Sequence, residues 1–199
     1  GCQISALVRK VSKGLPVEVE QVVVDLGEIE DEGAIRDAFA GVDVVVHAAA
    51  RAHMMQDLSA DPLAEFRKLN RDATLALAGL AADSGVKRFV FLSSIKVNGE
   101  KTFPQGRPSV FKPDDVFMPT DPYGLSKYEA EQGLLALAKE TGMEVVIIRP
   151  PLVYGPGVKA NFASMINWLR RGVPLPLGAI YNKRSFVALD NLVSFIALC

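Results

Sequence analysis

The chain has 199 residues, enough for one domain with a sizeable core, and 49% of them are hydrophobic, which excludes a disordered chain. Its 22 basic residues face 23 acidic ones for a net charge of -1, and no long basic run occurs, so no nucleic-acid surface is expected. No apolar run approaches the ~20 residues of a membrane span, the first residues show no signal-peptide pattern, and Cys2 and Cys199 form neither a disulfide framework nor a metal motif. The expectation is therefore a cytoplasmic protein with no membrane partner and no metal.

In chain order, Ile4 to Val8 reads as a strand ending at Arg9, and "VVVDL" as a second ending at Asp25 and Leu26. "DEGAIRDAFA" places Ile35, Ala38 and Phe39 on one side of a helix, which stops at Gly41. "VDVVVH" is the next strand, followed by Ala48, Ala49 and Ala50. "DPLAEFRKLNRDATLALAGLAADS" opens with Asp61 and Pro62, a good N-cap and first-turn pair, and reads as one helix up to Gly85. "RFVFLSS" is a strand, "DPYGLSKYEAE" starts a helix that ends at Gly142, and "EVVIIRP" is a further strand. A helix, a glycine and then an apolar β-rich run recur at Gly41, Gly85, Gly142 and Gly172, as expected where a helix ends in the left-handed conformation. Short β-branched strands, apolar on both faces, are expected in a parallel sheet buried on both sides. Alternating strand and helix predicts an α/β, doubly wound, Rossmann-type fold. The expected division is a dinucleotide-binding domain over 1–150 and the start of a small substrate lobe over 151–199.

A Rossmann fold opens with a strand and a glycine-rich phosphate loop. No G-x-G-x-x-G occurs here, and "YGPGVKA" at 154–160 is glycine-rich but lies late in the chain. The first βα unit is therefore expected to be missing from this sequence, which also stops within a helix at "SFIALC".

Ligands of open α/β sheets bind beyond the carboxyl ends of the strands. The polar residues at those ends are Arg9, Asp25, His47, Ser93, Ser94 and Arg149. Each has a plain reading as a helix cap, a packed side chain or a surface ion pair. Tyr123 and Lys127 stand four apart on one helical face, which by itself decides nothing. Chemically they suit proton transfer. An ordinary tyrosine has a pKa of ~10, and bringing it to ~7 takes roughly 4 kcal/mol. A lysine one turn away, a second cation and a serine hydroxyl beside the phenol together form an acid/base set for an alcohol oxygen.

With these motifs in order along essentially the whole chain, the sequence resembles the extended short-chain dehydrogenase/reductase family. Within it, the chain is similar to the sugar-nucleotide epimerase/dehydratase branch typified by UDP-glucose 4-epimerases. The resemblance implies Ser94, Tyr123 and Lys127 as catalytic residues. It implies cofactor contacts at Asp25 and Leu26, at the Ala48, Ala49 and Ala50 turn, at Asn70 in "FRKLNRDAT", at Ser93, Tyr123 and Lys127, and at Arg149 and Pro150 of "IIRPPLVYGPG". It implies substrate contacts at Ser94, Lys96, Asn161 in "VKANFASMI", Pro176 in "GVPLPLG" and Arg184 in "NKRSFVALDN". Asn161 also reads as a helix cap, and Arg184 as a surface residue before a strand.

Three departures matter beside the missing loop. Asn98 replaces the family's usual tyrosine in "SSIKVNG", and Lys96 adds a charge near the substrate. Arg9, followed by Lys10, stands where members preferring NAD carry an acidic residue, so the cofactor is NAD or NADP. The implied activity is hydride transfer at C4 of a UDP-sugar by an epimerase, with a homodimer as the expected assembly. Its rivals are a 4-keto sugar-nucleotide reductase of surface-polysaccharide synthesis and a non-catalytic dinucleotide sensor, which would have no need of the phenol.

Overall fold

The computed structural model describes residues 2–29, 31–51, 61–100, 110–115, 117–157, 160–172, 174 and 184–199. The chain divides into two compact units, Gly1–Arg149 and Pro150–Cys199.

The first unit holds five strands: β1 (Ser5–Val8), β2 (Glu20–Val23), β3 (Val44–His47), β4 (Arg88–Leu92) and β5 (Glu144–Ile148). β1 pairs with β2, and β3, β4 and β5 form a second ladder in that order, every pair being parallel. The register sets His47 opposite Phe91 and Leu92 opposite Ile148, so the carboxyl ends of β3, β4 and β5 finish level. Ser93 continues the ladder by donating its N–H to the Ile148 carbonyl at 2.7 Å.

Burial on both faces, expected of every strand, is met only in β4, where Phe89, Val90 and Phe91 are almost wholly enclosed. Val44 and Val46 of β3 are exposed, because β4 is the one described strand that pairs with β3.

Helix α1 (Glu32–Phe39) starts at the Asp31 N-cap and buries Ile35 and Phe39, as its spacing predicts. Helix α2 (Pro62–Arg67) starts where Asp61 accepts from the Ala64 N–H at 3.0 Å. The sequence reads on from there as one helix. The structure instead interrupts it with a π-helical turn, Lys68–Asp72, before α3 (Ala73–Asp83). Such single-turn bulges often occur at functional sites, and this one carries Asn70.

Helix α4 (Pro122–Thr141) has Asp121 as N-cap and Pro122 at its first position. It ends at Gly142, whose φ of 75° lies in the left-handed region and whose N–H closes on the Ala138 carbonyl. Its buried stripe runs through Gly124, Lys127, Glu131 and Leu134, with Ser126 and Ala130 beside it. Two charged residues on a buried stripe are the exception that marks a site. The core joins Ile35 and Phe39 of α1, Leu77, Ala78 and Ala81 of α3, Phe89 and Phe91 of β4, and Ala130 and Leu134 of α4.

The second unit holds β6 (Leu152–Tyr154) paired in parallel with β7 (Phe186–Ala188), and helices α5 (Ala160–Arg170) and α6 (Leu189–Ile196). Of the run "GVPLPL", residues 173 and 175–177 lie outside the described residues.

Candidate active site

The first turn of α4 and the end of β4 meet. The chain leaves β4 through Ser93 into a 3-10 turn, Ile95–Asn98, capped by Ser94, whose Oγ accepts from the Lys96 N–H at 3.3 Å. The same Ser94 hydroxyl lies on the side of the Tyr123 phenol, whose pKa it pulls down. Phe66 of α2 meets the Tyr123 ring edge-on, with centroids 6.1 Å apart.

One turn along, the Lys127 Nζ donates to the Leu92 carbonyl at 2.8 Å and lies 4.4 Å from the centre of the Phe91 ring. This lysine is 1% exposed. Burial lowers its pKa to about 8, against the pull of the Glu131 carboxylate. Burial also pushes the Tyr123 phenol above its ordinary value, with Ser94 opposing the rise and Asp121 adding to it. The depression expected from Lys127 does not appear: the lysine is not among the groups that shift this phenol.

His47, at the end of β3, is buried against Phe91, with ring centres 5.9 Å apart and planes 13° from parallel. Its Nε2 lies 3.0 Å from the Thr74 hydroxyl, which gives its own proton to the Asn70 carbonyl at 2.9 Å. His47 must then donate from Nε2, which fixes its tautomer. Burial and the nearby Lys127 lower its pKa to about 4. It is a neutral packing residue here.

Asn70 is fully enclosed. Its Oδ1 accepts from the Arg51 N–H at 2.8 Å, and its Nδ2 donates to the Arg51 carbonyl and to Ser126 Oγ. Ser126 in turn donates to the Tyr123 carbonyl at 2.8 Å. Asn70 therefore ties the backbone just after Ala48, Ala49 and Ala50 to α4. Those three alanines are exposed, leaving their backbone open to a ligand.

The Ser93 hydroxyl is buried and has no partner among the described residues. An orphaned donor at a strand end fits a site that receives a polar ligand group. Asp25, exposed beyond β2, accepts from the Gly27 N–H at 2.9 Å. It lines a cleft of about 330 Å³ with Val23, Val24, Glu28, Asp31 and Ala34. Leu26 is half-buried beside the core, and Arg9 is exposed at the end of β1.

A larger cleft, of about 620 Å³, opens at the amino ends of β3, β4 and β5. Its charges are paired off, Lys87 with Asp43 at 2.7 Å and Arg88 with Glu144 at 2.6 Å, and it contains none of the serine, tyrosine and lysine set.

Arg149 directs its guanidinium to Glu131, to Asn98 Oδ1 at 3.1 Å and to the Pro113 carbonyl at 3.1 Å. Lys96 pairs with the capping carboxylate of Asp121 at 3.0 Å. Pro150 is half-buried at the start of the second unit. In that unit Asn161 lies in α5 with its side chain outside the described residues, Pro176 lies outside them altogether, and Arg184 is exposed ahead of β7. Sequence reasoning missed Glu131, Ser126 and Thr74. For Glu131 a signal existed: an acid four residues after Lys127 shares its helical face. Among the described residues no cluster suited to a metal occurs, and no helix is long and apolar enough to cross a membrane.

A parallel α/β unit with a serine at one strand end and a tyrosine and lysine on the adjoining helix defines a class of dehydrogenase-like enzymes. The sequence matches the NAD dependent epimerase/dehydratase family over residues 1–199, and the chain belongs to that family. It is 54% identical over 176 residues to a UDP-glucose 4-epimerase of Vibrio cholerae, covering 88% of this chain and 53% of the relative. Two solved structures are similar. One is the dTDP-glucose 4,6-dehydratase DesIV of Streptomyces venezuelae with NAD and TYD bound, at a TM-score of 0.74, 27% identity, and coverage of 92% of this chain and 55% of that one. The other is MoeE5 in complex with UDP-glucuronic acid and NAD, at a TM-score of 0.73, 27% identity, and coverage of 98% and 63%. The chain thus spans about half the length of the curated relative it matches.

Proposed function

We propose that this chain is part of an NAD-dependent UDP-sugar 4-epimerase. The observation that carries the proposal is the meeting of Ser94, at the end of β4, with Tyr123 in the first turn of α4, and with a buried Lys127 one helical turn further on. Tyr123 moves the proton on the 4-hydroxyl oxygen of the hexose, and Ser94 holds the same oxygen through its own hydroxyl. Lys127, buried one turn along the same helix, is assigned to lowering the phenol's pKa once substrate and cofactor are in place. Phe66 and the buried α4 stripe fix the ring so that proton transfer has one geometry.

NAD, when bound, would supply a hydride acceptor and donor for C4 of the sugar. The residues present fit it: the orphaned Ser93 hydroxyl, the open backbone of Ala48, Ala49 and Ala50, and the Asp25 cleft are the groups that would hold it. Lys96 is assigned to the sugar, and Asn161, Pro176 and Arg184 to the nucleotide diphosphate and base. A homodimer and a cytoplasmic location belong to the same proposal and are tested by light scattering and by fractionation.

A second reading, a 4-keto reductase, is favoured by the exposed Arg9 at the end of β1, where a guanidinium suits a 2′-phosphate of NADP. One incubation separates the two. The full-length protein is given a UDP-hexose together with its 4-keto derivative and deuterium-labelled NADH or NADPH. Interconversion of C4 epimers without label uptake is the expected result. Stoichiometric deuterium at C4, with loss of the reduced cofactor's absorbance, would overturn the epimerase in favour of the reductase.

A further inference from the structure

The buried stripe of α4 carries opposite charges one turn apart, Lys127 and Glu131, both almost wholly enclosed. Residues at this spacing face one another, and a carboxylate so placed is the natural partner of the ammonium. The structure does not pair them. The Lys127 Nζ goes to the Leu92 carbonyl and the Phe91 ring. The Glu131 carboxylate is taken up by Arg149 at the end of β5. Arg149 Nε lies 3.0 and 3.2 Å from the two carboxylate oxygens, and its Nη2 lies 2.6 Å from one of them. The remaining nitrogen, Nη1, is anchored by Asn98 Oδ1 and the Pro113 carbonyl, each at 3.1 Å. Asn98, the residue that departs from the family's tyrosine, also donates to the Lys112 carbonyl at 2.6 Å. The fork is thus held flat from three separate segments, an arrangement a lysine cannot reproduce.

We propose that Glu131 and Arg149 are positioning residues for the reaction: the Arg149 fork occupies the Glu131 carboxylate and so leaves the Lys127 ammonium aimed at the Leu92 carbonyl and the Tyr123 end of the helix. This inference rests on the roles assigned above to Lys127 and Tyr123. Among the described residues, the charged and titratable groups that interact with Lys127 are His47 from β3 and Glu131 from its own helix, with Tyr123 one turn before it on that helix. Behind Glu131 stands Arg149 from β5, and Asp121, paired with Lys96, faces Tyr123. The Glu131–Arg149 pair presents no net charge to this group. Removing one member exposes the charge of the other, with opposite sign in the two cases.

The test compares Arg149→Met, Glu131→Gln and the double variant in the full-length protein. Arg149→Met leaves a carboxylate beside Lys127. It is expected to raise the Lys127 titration midpoint, and the acid limb of kcat, by about one pH unit. Glu131→Gln leaves a guanidinium and is expected to lower both by a similar amount. In the double variant both return to within about 0.3 unit of wild type, because a buried pair replaced as a whole leaves no charge behind. Arg149→Lys keeps the charge but not the fork, so it should leave the titration close to wild type and lower kcat more than it raises KM. The Lys127 midpoint is read by NMR of lysine labelled at its side-chain nitrogen, assigned with Lys127→Arg, and needs no turnover.

Opposed shifts that cancel in the double variant support the positioning role. Shifts of one sign, or none, with only a lowered Tm in each variant, overturn it in favour of a merely structural pair. Should the NMR midpoints move as expected in a protein that does not epimerise, the function proposed above fails while the charge arrangement stands. The double variant keeps the test open if a single variant does not fold.

Discussion

Tyr123 is the residue on which the proposed chemistry turns, and its surroundings separate its roles. The ring is seated by Phe66 and by the buried start of α4, whereas the hydroxyl meets Ser94. Tyr123→Phe keeps the seat and deletes the proton-transfer group. The expected loss in kcat is on the order of 10²–10⁴-fold, with the affinity for NAD changed by about twofold or less. Steady-state kinetics and a fluorescence titration of the full-length protein check it. A variant that keeps more than about a tenth of wild-type kcat removes Tyr123 from the role. Because burial holds the phenol above its ordinary pKa, kcat should also fall as the pH drops, with its acid limb lost in the phenylalanine variant.

At the scale of elements, α4 shows how short signals act. Its start is dictated by Asp121 and Pro122, and its end by Gly142, whose backbone lies at φ 75° with open space where a Cβ would stand. Gly142→Ala therefore meets no clash and suffers only the left-handed backbone. It should lose about 1–2 kcal/mol in chemical denaturation while keeping wild-type kcat, since the site lies at the other end of the helix. Local rules of this kind made much of the fold legible in the sequence: the Asp61 and Asp121 caps and the glycines closing α1, α3 and α4 stand where their chemistry puts them, and each of the five apolar runs overlaps a strand, although β2 ends at Val23, short of the expected Asp25 and Leu26. The π-helical turn was not legible. Its spacing imitates an unbroken helix, and the fold places its Asn70 on the backbone of Arg51, 19 residues away. The open face of β3 was hidden for a related reason, because "VVVH" says which residues are apolar and nothing about which strand lies alongside. In the site, the serine, tyrosine and lysine were legible as a motif. The capture of Glu131 by Arg149 spans 18 residues and depends on how β5 docks against α4.

For the molecule as a whole, buried titratable groups link stability to pH. His47 is neutral in the folded protein, with its pKa lowered from 6.5 to about 4 by burial and by Lys127. The unfolded chain takes up a proton first as pH falls. The contribution of His47 is thus complete above pH 6.5 and is lost between there and about pH 4, worth about 3 kcal/mol in total. Denaturation curves recorded from pH 8 to pH 4 should show His47→Gln losing less stability over this range than wild type, although it starts lower. Equal losses would mean that another group governs the acid transition. Lys127 carries a different consequence. Its charge is met by a carbonyl and an aromatic face in a place that water does not enter, whereas pairs such as Lys87 with Asp43 stand in solvent. Dissolved ions screen charge over about 10 Å at 0.1 M, and only where they can approach. Added salt therefore fades the surface pairs and, on the proposed function, weakens the capture of an anionic nucleotide sugar while leaving the buried Lys127 untouched. Ionic strength becomes a means of separating recognition from chemistry, with KM drifting upward while kcat holds.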